Sequence, residues 1–175
     1  EFPEVLERGG FSAFVGNPPF MGGWQMPTFL GPEYCYGLKS IYEGAEGTSD
    51  LVAFFFRRAF SLLSPRGYMG LLATKSIAEA DTRRAGLDRI VADGGVIYRA
   101  VPQMLWPGRA AVTVAKLHIT TGRWNGDVVL DGRSVASVSP TLTDTIDFST
   151  AKALRHEIEY SQGTMLYGVS FVRRQ

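Results

Sequence analysis

The order of apolar runs and helix signals predicts an α/β protein built on a mostly parallel sheet with one antiparallel strand. Short apolar runs bounded by turn residues, Phe11–Val15, Tyr68–Thr74 and Val96–Val101, alternate with helical patterns over 51–63 and 82–92. Strand, helix, strand in that order implies crossover connections between parallel strands. The run Tyr68-Met69-Gly70-Leu71-Leu72-Ala73-Thr74 is continuously apolar, which suits a central strand covered on both faces. The last link differs: Pro102 to Arg109 contains Trp106-Pro107-Gly108 and no helical pattern, so the final strands, 96–101 and 111–120, are expected to pair antiparallel across a loop.

Each element has a local cause. Phe11–Val15 reads as a buried strand that stops at Gly16-Asn17-Pro18-Pro19, because two prolines in succession cannot continue a ladder. Residues 21–48 are rich in Gly, Pro and aromatics and predict a long loop with one helical piece around Pro32 to Tyr42. Ser49 and Asp50 offer N-cap oxygens to a helix whose apolar positions, Leu51, Phe54, Phe55, Ala59 and Leu62, recur at helical spacing. Ser64-Pro65-Arg66-Gly67 ends it. The second helix, Thr82 to Ala92, closes at Asp93-Gly94-Gly95. After Thr121 the composition changes: Val128 to Arg133 reads as a hairpin with an Asp131-Gly132 turn, followed by polar, Ser/Thr-rich chain. This divides the chain into a sheet domain over 1–121 and a second module over 122–175.

Composition narrows the function classes. A chain of 175 residues, 45% hydrophobic, can bury one core of ordinary domain size. The formal net charge of +1 announces no global attraction to nucleic acid, so a contact with DNA must come from a local patch. A lone cysteine, Cys35, rules out an internal disulfide framework and multi-cysteine zinc patterns, and it fits a reducing cytoplasm. His118 and His156 are too few and too far apart to suggest a metal site. There is no long apolar run and no basic-then-apolar leader, so a soluble, cytoplasmic protein with no membrane partner is expected. The absence of an initiating Met suggests a piece of a longer chain.

The most informative feature is a strand that delivers Asn17-Pro18-Pro19-Phe20 into a loop. The exocyclic amine of adenine is a poor nucleophile because its lone pair is delocalised into the ring. Two oxygen acceptors that receive both amine hydrogens favour a pyramidal nitrogen, localise the lone pair and stabilise the positive charge that grows as a methyl group arrives. Asn17 supplies a side-chain carbonyl and Pro18 a backbone carbonyl. The prolines stiffen the loop, so these oxygens need not reorganise. Phe20 would lie flat against an extruded adenine, contributing about 1–3 kcal/mol by stacking. A bare Asn-Pro-Pro is just as well a turn that ends a strand; the strand before it, the aromatic after it and the alternating pattern downstream favour catalysis.

Around this motif runs a wider likeness. Phe11–Gly23 (FSAFVGNPPFMGG), Ser49–Thr82 (SDLVAFFFRRAFSLLSPRGYMGLLATKSIAEADT) and Gly94–Leu117 (GGVIYRAVPQMLWPGRAAVTVAKL) resemble the gamma class of DNA amino-methyltransferases. The resemblance is in particular to the large enzymes of restriction-modification and phage-defence systems, of DISARM type or MmeI-like. It covers most of residues 11–133, and 161–171 is similar to the segment that leads toward target recognition. Asn-Pro-Pro-Phe alone is shared with RNA and protein-glutamine methyltransferases; the ordered combination is more specific.

The resemblance implies the second half of a Rossmann-like methyltransferase sheet that binds S-adenosyl-L-methionine at its carboxyl edge, where open sheets hold ligands. It implies a site-specific, adenine-specific DNA methyltransferase, with methyl transfer to N6 of a flipped adenine in double-stranded DNA. The alternatives are a protein-glutamine or RNA adenine methyltransferase, or a catalytically dead DNA-binding fragment. The glycine-rich turn and ribose-binding acid of the family would precede residue 1, so of the residues present only Asn17 shares the cofactor edge. The partners implied are the missing N-terminal half of the same protein, duplex DNA and other defence-system subunits, and the isolated chain is expected to bind cofactor poorly and to be inactive. Residues 1–121 become the C-terminal half of the catalytic domain; 122–175 become a linker and the start of a target-recognition or accessory region. Lys75 departs from the family pattern, standing where Asn is expected in Ala-Thr-Asn-Ser.

Other residues carry two readings each. Trp106 and Arg109 sit in the last loop, where an aromatic and a guanidinium would help hold an extruded nucleotide, unless Trp106 simply packs. Arg83 and Arg84, with Thr82, open a predicted helix where a phosphate would meet both guanidinium and free N–H groups. Arg57 and Arg58 are more simply a solvated helical pair. Phe54, Phe55 and Phe56 are read as core, Met21 to Trp24 as a flap over the base or a seal on the core, and Cys35 as an inert thiol.

Overall fold

The computed structural model describes residues 2–106 and 112–144. A short helix α1 (Pro3–Glu7) leads into β1 (Phe11–Gly16); the motif loop follows, and then α2 (Met26–Leu30) and α3 (Pro32–Ile41). Helix α4 (Leu51–Ser61) is capped by Asp50, whose carboxylate accepts the Val52 N–H at 3.0 Å, as the sequence predicts. Strand β2 (Leu63–Thr74) passes through a 3-10 turn (Lys75–Ala78) into α5 (Ala80–Ala85) and α6 (Leu87–Ala92). Then come β3 (Gly95–Leu105), β4 (Thr113–Thr121), and the hairpin β5 (Val128–Leu130) and β6 (Arg133–Val135).

These strands form one six-stranded sheet of order β1-β2-β4-β3-β5-β6. β1 and β2 pair in parallel, and β4 lies antiparallel between β2 and β3. β1, β2, β3 and β5 therefore run one way and β4 against them, the mostly parallel plan expected. β6 is a second reversed strand, because the predicted hairpin joins this sheet: β5 pairs in parallel with β3 through Arg99↔Val129 and Ala100↔Leu130. The Asp131-Gly132 turn has φ of 50° and 79°, the left-handed pair that a tight two-residue hairpin requires.

Tertiary packing altered several expected elements. The helix predicted over 82–92 is broken at Gly86, where a Cβ would lie 3.2 Å from that of Ala53; the break lets the chain close on α4. β2 begins earlier than expected, with Leu63 against Phe11 before an excursion over 64–67. Thr121 staples that excursion, its hydroxyl accepting from the Gly67 amide at 3.0 Å and donating to the Ser64 carbonyl at 2.8 Å. Met26–Leu30 forms a helix where the Gly-, Pro- and aromatic-rich composition predicts loop. On α4 the buried set is Leu51, Val52, Ala53, Phe54 and Phe56; Phe55 is 43% exposed, so it is not the core residue expected.

The core lies on one face of the sheet. Met69, Leu71 and Ala73 of β2, Ile97 of β3, and Ala115, Leu117 and Ile119 of β4 pack with Val52 and Phe56 of α4 and with Leu87 and Ile90 of α6. Residues between them in sequence, Tyr68, Leu72, Lys116 and His118, point to the opposite face and keep partial exposure. The expected cover on both faces of β2 is thus absent among the described residues. β1 likewise is not a buried strand: it is the terminal strand among the described residues, and Val15 is 91% exposed. No helix among the described residues is long and apolar enough to cross a membrane.

Two glycines on opposite faces test this asymmetry. A Cβ at Gly95 would sit 2.6 Å from Ile90 Cγ2 and 2.7 Å from the Ile90 carbonyl, whereas one at Gly70 meets nothing within 4 Å. Gly95→Ala should lower stability by about 1–3 kcal/mol in urea unfolding. Gly70→Ala should be neutral or stabilising by up to ~1 kcal/mol.

Candidate active site

The site is built at the carboxyl ends of the parallel strands. β1 ends opposite Leu71 of β2, and Asn17-Pro18-Pro19-Phe20 leaves the ladder there without regular structure, as the paired prolines dictate. Asn17 is exposed, and its side-chain amide has no hydrogen-bond partner among the described residues. Phe20 and Met21 are half-buried against the core. The loop is then clamped to α4 in both directions: the Met21 amide donates to Asp50 Oδ1 at 3.3 Å, and the Leu51 amide donates to the Met21 carbonyl at 3.0 Å. Gly23 permits the close return, since a Cβ there would collide with the Thr48 carbonyl.

Beside Asn17, along the uncovered face, runs a hollow of about 410 Å³ walled by Ala13, Val15, Leu72, Tyr68, Lys116 and His118. At its far end Tyr98 stacks on Trp124 at 4.2 Å, and Tyr68 meets both rings edge-on. No sequence signal brought Tyr68, Tyr98 and Trp124 together; only the β2–β4–β3 pairing does. Partial burial, then repulsion from Lys116 and Arg99, holds the His118 imidazole below its ordinary 6.5, and partial burial beside Tyr68 raises the Tyr98 phenol.

Of the other sequence candidates, Trp106 lies at the same edge as Asn17. It follows the end of β3, with its amide donating to the Val112 carbonyl at 2.8 Å to close the base of the β3–β4 loop. β2 and β4 stand between β1 and β3, about 14 Å across at ordinary strand spacing, and β3 runs on past the level of Gly16 from the Leu117 pairing to the Thr113 pairing, so the two strand ends are about 20 Å apart. Arg109 lies outside the described residues, as do His156 and 161–171. Arg83 and Arg84 are in the last turn of α5, not at a helix opening, because the chain starts to coil at Ala80 and breaks at Gly86. The Arg83 amide is already bonded to the Glu79 carbonyl, and both guanidinium groups are paired, Arg83 with Asp88 at 3.2 Å and Arg84 with Asp81. Thr82 is buried, its hydroxyl accepting the Asp50 amide at 3.0 Å. Lys75 is exposed and paired with Glu79 at 3.8 Å. Asp81 also accepts the Thr48 amide at 2.8 Å; that bond, then Arg84, holds its carboxyl below the usual range and pins the end of the long loop. The contribution of Asp50 was visible in the sequence only as a helix cap.

This sheet, with a reversed strand set between two parallel ones and a loop motif at its carboxyl edge, is a Rossmann-like methyltransferase fold. The structure of the restriction-modification enzyme MmeI in complex with DNA superposes with a TM-score of 0.66 at 20% identity, over 83% of this chain and 21% of that one. Looser likenesses are the M protein of the type I restriction enzyme EcoKI (TM-score 0.43, 13% identity, 69% of this chain and 23% of that one) and the type I methyltransferase subunit of Streptococcus thermophilus (TM-score 0.44, 14% identity, 71% and 27%). The chain thus spans about a fifth of the length of MmeI. No curated protein matches significantly. Residues 1–91, more than half the chain, match the Eco57I restriction-modification methylase family, and the protein belongs to that family.

The His118 environment sets a pH dependence. With its folded pKa depressed, the unfolded chain takes up a proton first as pH falls below about 6.5. Stability should therefore be full above that pH and decline as pH drops toward the folded value. Thermal midpoints measured from pH 7.5 to 5 should fall less for His118→Gln than for the parent protein.

Proposed function

We propose that this chain carries the base-binding and methyl-transfer edge of a site-specific DNA methyltransferase that modifies the N6 amine of adenine with S-adenosyl-L-methionine. The observation that carries the reading is the Asn17 amide, solvent-facing and unpartnered among the described residues, at the rim of an apolar hollow large enough for a planar ring. A carboxamide oxygen and the neighbouring Pro18 carbonyl, held on a stiff loop, form an acceptor pair for the two hydrogens of an aryl amine. Phe20, anchored on the core, offers a ring face to an extruded base. An exposed amide at an open carboxyl edge, next to an apolar wall, also fits one side of a cofactor site, with Asn17 the residue that would touch it. When bound, the cofactor supplies an electrophilic methyl group on a sulfonium.

The residues of this chain then perform three tasks. Asn17 and Pro18 orient the amine and draw its lone pair out of conjugation. They stabilise the charge that builds on nitrogen, which a rigid pair of dipoles does without reorganisation. Phe20 and the apolar hollow keep water from the amine. No general base is required before transfer, because the methylated amine is acidic enough to lose its proton to solvent afterwards.

The free edge of β1 and the uncovered sheet face support the further reading that a cofactor-binding half of the same protein completes the sheet there. Residues 122–175 are read as the start of an accessory or target-recognition region whose first hairpin is docked on the catalytic sheet. Trp106 is the residue of the β3–β4 loop proposed to face the displaced nucleotide, with Arg109 beside it in sequence.

In the full-length protein, with tritiated methyl donor and duplex DNA, Asn17→Ala should slow single-turnover transfer by about 10²–10³-fold while cofactor affinity stays within about twofold. Equal rates for variant and parent would remove Asn17 from the chemistry. Label on protein glutamine or RNA in place of DNA would redirect the substrate assignment.

A further inference from the structure

We infer that Asp50 is a positioning residue for methyl transfer: its buried carboxylate fixes the far end of the Asn17–Phe20 loop and ties that loop to the turn that ends β2. This rests on the reading of Asn17 given above. Asp50 is 5% exposed. Its Oδ1 accepts from the Met21 amide at 3.3 Å and from the Val52 amide at 3.0 Å. Its Oδ2 accepts from the Ser76 hydroxyl at 3.2 Å, and Ser76 is bridged to the Thr74 hydroxyl at 2.6 Å.

A helix cap alone does not call for this residue. Ser, Thr or Asn would satisfy the Val52 amide equally well. A carboxylate is suited to a point where donors from separate segments converge, because it has two oxygens and several lone-pair sites, and its hydrogen bonds are charge-assisted. Here the donors come from the motif loop, α4 and the turn after β2, segments that carry the two strand ends nearest the hollow.

The loop is thereby held at two points. At its start, Gly16 is fixed in register with Leu71. At its end, Met21 is bonded through both its amide and its carbonyl to the first residues of α4. Pro18 and Pro19 remove most of the freedom between these points. Releasing the Met21 amide leaves that end of the loop held by the packing of Phe20 and Met21 and by a single backbone bond, from the Leu51 amide to the Met21 carbonyl, so the Asn17 and Pro18 oxygens are held less firmly. Displacements of about 1 Å at a reacting centre can cost about 10²-fold in rate. Asp50 lies behind the loop and acts on the reaction through Met21, not by touching base or cofactor.

The test separates capping from positioning in the full-length protein. Asp50→Ser keeps an oxygen for the Val52 amide but is too short to serve Met21 and Ser76 as well. Asp50→Asn keeps an oxygen for Met21 and Val52, and its amide can donate to the Ser76 hydroxyl. Asp50→Ser should retain a thermal midpoint close to that of the parent and should expose the Met21 amide to fast hydrogen exchange. It should slow single-turnover methylation by about 10–100-fold, with the cofactor dissociation constant changed less than about threefold. Asp50→Asn should restore both the protection of Met21 and most of the rate. A normal rate in Asp50→Ser with the Met21 amide unprotected would overturn the inference, and so would an Asp50→Asn variant as slow as Asp50→Ser. If the parent protein transfers no methyl to duplex DNA, the adenine reading fails by itself. The Met21 exchange pattern across the variants then still decides whether Asp50 holds the loop.

Discussion

The ladder that β4 makes with its two neighbours holds the rest of this structure in place. Running against β2 and β3, β4 pairs from Tyr68↔Thr120 to Thr74↔Val114 on one side and from Gly95↔Thr121 to Leu105↔Thr113 on the other. Every second residue of it, Ala115, Leu117 and Ile119, is completely buried beneath α4 and α6. Because β4 enters the sheet at the edge where β1, β2 and β3 leave it, the β3–β4 loop and the Asn17 loop must open on the same side. Two segments some ninety residues apart in the chain thus share one edge as a consequence of strand direction alone.

The same ladder explains why the two faces of the sheet differ. Alternation along a strand sends Met69, Leu71 and Ala73 to the helices and Tyr68 and Leu72 to the other side. On that other side, β2, β4 and β3 contribute Tyr68, His118 and Tyr98 to a single aromatic group, and β1 contributes the exposed Val15. The hollow beside Asn17 is lined by this face. In the proposed reaction an apolar wall is an advantage, since it excludes water from the amine and strengthens the dipoles of the Asn17 and Pro18 oxygens.

Electrostatics at the edge is arranged by short, local pairs and not by a broad positive field. Arg83, Arg84, Arg89 and Lys75 are each matched to a carboxylate, with Asp88, Asp81, Glu43 and Glu79 respectively. Arg57 donates to the Glu43 carbonyl at 2.7 Å and lies 5.0 Å over the Tyr42 ring. The contacts of Arg57 and Arg89 with Glu43 and the bond from the Thr48 amide to Asp81 fasten the end of the long loop onto α4, α5 and α6.

The amino-acid sequence by itself determined the elements whose cause is local. The Asn-Pro-Pro-Phe stop at the end of β1, the Asp50 cap of α4, the Asp131-Gly132 turn and the antiparallel last pair all follow from proline chemistry, capping, left-handed turn residues and a link with no helical pattern. Tertiary structure decided what depends on which surfaces meet. It broke the second helix at Gly86 to admit Ala53, turned Phe55 outward in favour of Phe56, placed Arg83 and Arg84 in a last turn instead of a first, and attached the hairpin to β3. Periodicity in one segment records that a face is apolar but not which partner it meets. The convergence of Met21, Val52 and Ser76 on one carboxylate has no local signature at all, because its donors become neighbours only when three separated segments reach the same edge.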